Sequence, residues 1–331
     1  VSESIPFVQA LGLHKTYAVH SGLGEKAKKI RAVDGVNFGI RRGEVFALVG
    51  ESGSGKSTVG KLLLRLEEVS SGRVLIDGTD LLSLGKNELR AFRRRIQMIF
   101  QDPFSSLNPH MRVNEMLHEA LAIHGLFQSG NQRNERIGEL LQLVGLAPEF
   151  SSRYPHEFSG GQRQRISIAR ALAVEPEFIV ADEAVSALDV SNQAQIINVL
   201  MDLKNDFGLT MLFISHNMAV VQNIADTVAV MYLGKLLEIA PAKDLFRSPK
   251  HPYTTALLSA IPVPEVARER KRIILQGDMP SPLDPPSGCV FRTRCSQASE
   301  HCAQVVPVLT QTSPERWVAC HLHQTTLTES L

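Results

Sequence analysis

A chain of 331 residues with 44% hydrophobic residues carries enough apolar material for a substantial core, which excludes a predominantly disordered protein. Its 35 Lys+Arg against 34 Asp+Glu leave a formal net charge of +1, so there is no broad positive field to hold nucleic acid through its phosphates, and no nucleic-acid partner is expected. No run approaches the length of a membrane-crossing helix and the first residues lack the basic-then-apolar order of a secretory signal, so the chain is expected in the cytosol unless a partner tethers it to a membrane.

Residues 11–17 and 32–40 read as strands, the second with Val33, Val36, Phe38 and Ile40 in partial alternation. Arg41-Arg42-Gly43-Glu44 turns into Val45–Val49, an unbroken apolar run suited to the interior of a parallel sheet. A glycine-rich loop follows, then a helix through Leu62, Leu63 and Leu64. Ser71-Gly72 and Asp77-Gly78 bracket a strand over 73–76, and 96–100 is another. The basic runs Lys26-Ala27-Lys28-Lys29 and Arg93-Arg94-Arg95 read as solvated surface.

From about residue 103 the character changes. Met116-Leu117, Leu121, Ile137, Leu140-Leu141 and Val144 recur at helical spacing with no good strand among them, which predicts a helical insertion over about 103–165. The strand pattern resumes at 178–181, 210–214 and 227–232, with a helix over 192–203 between the first two. Beyond about 245, Pro249, Pro252, Pro262, Pro264, Pro280, Pro282, Pro285 and Pro286 rule out long regular elements.

The segment Gly50-Glu51-Ser52-Gly53-Ser54-Gly55-Lys56-Ser57-Thr58 fits the phosphate-loop pattern, in the strand, loop, helix order that such a loop requires. Its glycines let successive backbone amides converge on phosphates, Lys56 reaches the outer phosphates, and the Ser57 hydroxyl can ligate magnesium. The loop alone leaves kinases, GTPases and ATPases open. The strand 178–181 runs into Asp182-Glu183, which would aim Asp182 at the magnesium side of a nucleotide and let Glu183 polarise an attacking water, although many strands simply emerge into solvent through acidic residues. His216 follows the strand 210–214 at the end where ligands gather in open parallel sheets; a lone histidine there is more often a structural residue. Ser159-Gly160-Gly161-Gln162 opens a helix through Ile166, Ile168 and Leu172, either an anion-ready helix start or an ordinary cap. All four cysteines, Cys289, Cys295, Cys302 and Cys320, crowd into the last stretch of the chain, separated by five, six and seventeen residues, which points to a shared role and, in a reducing compartment, to a metal rather than a disulfide.

Taken together, these segments resemble the nucleotide-binding subunits of ABC transporters over roughly residues 8–245, with Phe158-Ser159-Gly160-Gly161-Gln162 as a close version of the family signature. The resemblance implies an α/β fold: an ABC-type P-loop ATPase core with an N-terminal antiparallel β-subdomain, a helical insertion and a small cysteine-containing C-terminal extension, divided as 1–245 and 246–331. It implies that Tyr17 stacks on adenine, that Gln101 senses magnesium and the attacking water, that Ser186-Ala187-Leu188-Asp189 crosses a dimer interface, and that His216 contacts the terminal phosphate. The nucleotide would lie between Gly50, Ser52, Gly53, Gly55, Lys56, Ser57 and Thr58 of one cassette and Ser159, Gly160, Gly161 and Gln162 of a second packed head to tail, with Asp189 at the seam. Glu183, His216, Gln101 and Lys56 would be catalytic, and Ser57, Gln101 and Asp182 would hold Mg2+. Ala184 stands where the family often has proline, which is expected to alter loop rigidity without loss of activity.

The likeness extends to the ATPases of oligopeptide and dipeptide importers, closest to the second of their two unlike subunits. It rests on Phe100-Gln101-Asp102-Pro103, Ser106-Leu107-Asn108-Pro109, Arg153-Tyr154-Pro155-His156-Glu157, His251-Pro252-Tyr253-Thr254 and Pro285-Pro286-Ser287-Gly288-Cys289. It implies an ATPase that powers peptide import from the cytoplasmic face of a bacterial inner membrane, with a second homologous ATPase, two permease subunits and an extracytoplasmic substrate-binding protein. The related tail holds a [4Fe–4S] cluster on four cysteines; the spacing here would by itself suit Zn2+ or unliganded thiols as well. Related importers carry nickel, glutathione, sugars or antimicrobial peptides, so the cargo stays open at this level. A non-transport ABC ATPase is disfavoured by the single compact cassette, and a degenerate cassette by retention of Lys56, Gln162, Asp182, Glu183 and His216.

Overall fold

The computed structural model describes residues 5–19, 28–127, 129–186, 188–261 and 273–324. Its strands in chain order are β1 (Val8–Val19), β2 (Lys28–Ile40), β3 (Val45–Val49), β4 (Ser71–Ile76), β5 (Thr79–Asp80), β6 (Ile96–Ile99), β7 (Phe178–Asp182), β8 (Thr210–Ser215), β9 (Thr227–Tyr232), β10 (Lys235–Pro241), β11 (Thr310–Ser313) and β12 (Arg316–Val318). Its helices are α1 (Lys56–Leu63), α2 (Lys86–Phe92), α3 (Pro103–Ser106), α4 (Val113–Ile123), α5 (Gly130–Leu143), α6 (Gly160–Leu172), α7 (Val190–Phe207), α8 (Met218–Ile224), α9 (Ala242–Arg247), α10 (Pro252–Ser259) and α11 (Glu300–Gln304). The chain folds as two compact units interleaved in sequence, one from residues 1–8, 40–45 and 76–214, the other from 9–39, 46–75 and 215–331.

In the first unit β7 is flanked by β6 and β8, both parallel to it, with Ile96 opposite Phe178 and Asp182 opposite Ile214. Every residue of β7 and β8 is buried, the pattern of strands covered on both faces, and each of Phe178, Ile179 and Val180 contributes about 1.5–3 kcal/mol by leaving water. The predicted insertion is helical: α3, α4 and α5 pack with α6, and α4 buries Val113, Met116, Leu117 and Leu121, one face of a helix. Arg95 is part of no simple solvated run. It and Arg42 share Asp77 and Glu177, with Arg42 at 2.9 Å from each carboxylate and Arg95 at 2.7 Å from Asp77 and 3.0 Å from Glu177.

In the second unit β1 lies between β2 and β4, and β2 turns Val33, Val36, Phe38 and Ile40 inward. β3 pairs in parallel with β9, β10 returns antiparallel to β9, and β12 adds antiparallel to β10 with Glu238 opposite Val318; β11 pairs with β12. β10 is not legible as a strand in the sequence, because Glu238 interrupts its apolar run. That carboxylate is fully buried yet satisfied: it accepts from Arg316 Nη2 at 2.6 Å, from the Lys250 amide at 3.0 Å and from the His251 amide at 2.9 Å. The tail elements are short, as its prolines require, and Pro252 occupies the first turn of α10, where its missing N–H costs nothing. Burial pushes the His251 imidazole down to about 3, so it is neutral, and its Nδ1 caps α10 by accepting from the Tyr253 amide at 3.0 Å. Among the described residues no helix is long and apolar enough to cross a membrane.

Candidate nucleotide site and cysteine cavity

The phosphate loop leaves β3 at Val49 and enters α1 at Lys56. Gly50, Gly53 and Gly55 all have positive φ, and the first and third could not be otherwise: a Cβ at Gly50 would run into the Met231 carbonyl, and one at Gly55 into the Ala32 carbonyl. Lys56 is 4% exposed and folds back over the loop, its Nζ donating to the Gly50 carbonyl at 2.9 Å and the Glu51 carbonyl at 2.8 Å. The ammonium is thus held where phosphate oxygens would compete for it. Ser57 and Thr58 lie in the first turn of α1, and Ser52 and Gly53 are exposed at the loop tip. Tyr17, on β1, is half-buried; its hydroxyl donates to the Glu67 carboxylate, Lys15 Nζ sits 5.0 Å from its ring centroid, and burial followed by Glu67 pushes the phenol up to about 12. His216 is exposed just beyond β8, and the next residue, Asn217, caps α8 by accepting from Ala219 N at 3.1 Å.

In the other unit Asp182 ends β7 and is 5% exposed. Glu183 follows in the left-handed region at φ 45, an uncommon conformation for a side-chain-bearing residue and one that persists only where the surroundings hold it. Two bonds do so. Its amide donates to the Ile214 carbonyl at 3.0 Å, and its Oε2 accepts from Gln101 Nε2 at 2.8 Å. The fold therefore brings together Gln101 and Glu183, 82 residues apart, at the exit of the central strand. Ala184 is buried in the turn after Glu183, where Ser186 Oγ donates back to the Glu183 carbonyl at 2.9 Å. Ala187 lies outside the described residues.

The signature turn is locked from both directions. Ser159 Oγ accepts from the Gln162 amide at 3.3 Å and Gln162 Oε1 accepts from the Ser159 amide at 3.0 Å, a reciprocal cap that leaves Gly160 and Gly161 at the helix start. Asp189 caps α7, its Oδ1 accepting from the Asn192 amide at 2.9 Å. A Cβ on Gly161 would come within 3.1 Å of that same Asn192 side chain, so the two turns are packed on each other.

All four cysteines line one cavity of about 250 Å3, beside His251, and none forms a disulfide. The Cys289 amide donates to the Cys302 carbonyl at 2.7 Å, and the left-handed Gly288 sits where a Cβ would strike that carbonyl. Burial, with the neighbouring thiols adding to it, pushes Cys289 and Cys295 above the ordinary thiol range and Cys320 up to about 11. Among the described residues no three His, Cys, Asp or Glu side chains stand close enough to hold a single metal ion.

Residues 33–186 match the family described as ABC transporter, and residues 237–302 match the family described as oligopeptide/dipeptide transporter, C-terminal region. The chain is also 54% identical over 308 residues to YkfD of Bacillus subtilis (strain 168), named a putative oligopeptide transport ATP-binding protein, a match spanning 92% of this chain and 93% of that one. The chain belongs to the ABC transporter ATP-binding subunits of the oligopeptide/dipeptide importer type. Its activity is ATP hydrolysis coupled to transport. The Bacillus subtilis (strain 168) oligopeptide transport ATP-binding protein AppF is 49% identical to this ATPase subunit over 313 residues, 93% of this chain and 95% of AppF. Among solved structures, the ATP-binding cassette MJ0796, dimeric in a post-hydrolysis state with ADP and Pi, superposes with a TM-score of 0.64 at 30% identity, covering 71% of this chain and 98% of that one.

Two contacts of this ATPase subunit carry no local signal in the sequence: the phosphate-loop residue Glu51 touches Tyr253 and Arg294, both in the tail. An arginine one residue before a cysteine carries no signal of a partner 243 residues away.

Proposed function

We propose that this ATPase powers the import of peptides, and that its nucleotide is held by Gly50, Ser52, Gly53, Gly55, Lys56, Ser57 and Thr58, with Tyr17 against the base. The observation that carries this reading is the Gln101–Glu183 hydrogen bond at the end of β7, which holds a carboxylate in a strained backbone position with an amide beside it. Glu183 orients and polarises the attacking water, Gln101 holds that carboxylate in place, Lys56 releases the loop carbonyls to neutralise the outer phosphates, and His216 meets the terminal phosphate. Ser57, Gln101 and Asp182 are hard oxygen donors suited to Mg2+, whose charge would offset that developing on the transferred phosphoryl group.

Ser159, Gly160, Gly161, Gln162 and Asp189 face the nucleotide of a second, homologous ATPase packed head to tail; the reciprocal Ser159–Gln162 cap presents a prepared helix start to phosphate. Residues 1–245 form the ATPase domain, with the helical subdomain at about 103–165, and 246–331 form the extension. Two permeases and an extracytoplasmic binding protein complete the transporter at the inner face of the membrane. Peptides are favoured as cargo by the match of residues 237–302 and by the names of the relatives. The cysteine cavity is suited to a [4Fe–4S] cluster, which would supply a covalent cross-link to a segment with little apolar core of its own.

The test is anaerobic purification of the tagged Glu183→Gln chain from its native membranes with ATP and Mg2+. Two permeases, a related ATPase and a peptide-binding protein should come with it, together with about four iron and four sulfide per chain. A metal- or sugar-binding protein in their place would overturn the cargo, zinc in place of iron would overturn the cluster, and absence of membrane partners would overturn the transport role of this chain.

A further inference from the structure

Glu51 is the second residue of the phosphate loop, and each of its polar groups is taken. Its carbonyl accepts from Lys56 Nζ at 2.8 Å. Its amide donates to Tyr253 Oη at 2.9 Å, and its two carboxylate oxygens accept from Arg294 Nη1 at 3.0 and 2.9 Å. The Arg294 side chain is 9% exposed, against 29% for Glu51. It sits in the turn between Cys289 and Cys295, its amide donating to the Phe291 carbonyl at 3.0 Å. Phe291 in turn packs with Tyr232 and Tyr253, ring centroids 5.4 and 5.2 Å away. The cysteine-bearing tail therefore grips the loop at one residue through a cation and a phenol, both mounted on one aromatic cluster.

The chemistry of that grip is pointed. A loop built to receive a polyanion carries a carboxylate of its own, and a bare carboxylate there would repel the phosphates. A partly buried arginine holds this one. We infer that Arg294 and Tyr253 are positioning residues for the nucleotide: Arg294 masks the Glu51 charge, Tyr253 fixes the Glu51 amide, and the loop binds ATP more tightly while the cysteine module holds both in place. The tail is on this view an accessory part of the nucleotide site, and by linkage nucleotide binding steadies the cysteine module in return. The inference rests on the assignment of residues 50–58 as the phosphate loop.

The test is an equilibrium titration of the full chain, purified anaerobically, with N-methylanthraniloyl-ATP and Mg2+. Arg294→Gln should weaken binding about tenfold, the fold-change of one charge-assisted hydrogen bond, and the weakening should shrink as salt screens the unmasked carboxylate. Adding Glu51→Gln to Arg294→Gln should recover affinity to within about threefold of the unaltered chain, because the repelling charge is gone. Tyr253→Phe keeps its ring in the aromatic cluster and should weaken binding about threefold; it carries the test if Arg294→Gln does not fold. A double variant no tighter than Arg294→Gln, or Arg294→Gln and Tyr253→Phe both binding like the unaltered chain, would overturn the inference. Lys56→Met separates this from the site assignment: if it abolishes binding while the tail variants do nothing, the loop assignment stands and the inference alone fails. If Lys56→Met binds normally, the loop assignment itself is wrong.

Discussion

The phosphate loop and the cysteine tail are both irregular backbone, and the chain holds them by opposite means. The loop hangs between a fully buried strand and a helix, with its shape set by glycines in conformations that side chains would forbid at Gly50 and Gly55. The tail has short elements, and side chains fasten it: Arg316 to the buried Glu238, His251 capping α10, Phe291 among the tyrosines. A backbone-made site tolerates exchange of its neighbours so long as its glycines and flanking elements persist. A tail fastened by a few polar and aromatic groups fails when one of them is removed.

The largest effect should break the chemistry and leave the scaffold intact. Glu183→Gln in the assembled transporter is expected to lower turnover at least about 100-fold while nucleotide affinity stays within about threefold, measured by phosphate release and by nucleotide titration. Unchanged turnover would remove Glu183 from the mechanism. The unaltered complex, with Ala184 after that carboxylate, is expected to turn over ATP readily; near-zero turnover would mean the missing proline matters more than its buried, well-packed turn suggests.

Next in size, Glu238→Gln should strike the tail and spare the loop. It strands Arg316, 8% exposed, without its counter-charge, at a cost of about 3 kcal/mol and a fall in melting temperature on the order of 5–10 °C. In the metal-free chain the four thiols should then react faster with a maleimide. A melting curve and thiol kinetics both unchanged would show that the tail is held by something other than this pair. Phe291→Leu is a milder version of the same test, about 1.5 kcal/mol from lost ring packing.

The smallest effect concerns the first unit. The Arg95 hydrogen bonds, with Arg42 adding to them, hold the Asp77 and Glu177 carboxyls below the usual carboxylate range. Carboxylates with depressed folded pKa values bind fewer protons folded than unfolded, so their stabilising effect is present above about pH 4 and is lost as pH falls through the folded values. Asp77→Asn with Glu177→Gln should flatten the acid limb of a melting-temperature profile below about pH 4 and leave the limb above pH 6 parallel to that of the unaltered chain. Because these groups are a third or more exposed, the change should be slight.

The same contrast decides which elements are legible in the sequence. Strands 45–49 and 227–232 are legible to the residue, since a strand buried on both faces must be apolar throughout and turns into loop chemistry at its end. β10 is not, because a buried glutamate looks like an exposed one until Arg316 is placed beside it, 78 residues on. α2 is not, since none of its residues is buried and it shows no apolar face. Residues 20–27, with part of the first basic run, and 325–331 lie outside the described residues.

The sequence by itself determined the phosphate loop, the acid pair at 182 and 183, the signature turn and the crowding of four cysteines, because each is a local pattern whose chemistry depends on neighbours along the chain. Only the tertiary structure decided that Gln101 reaches Glu183, that the cysteines share one cavity, and that Arg294 takes hold of Glu51. Those two hydrogen bonds span 82 and 243 residues: the Arg294 charge, largely taken from water, must find its partner wherever the fold has put it, while the exposed Gln101 meets Glu183 only because β6 lies beside β7.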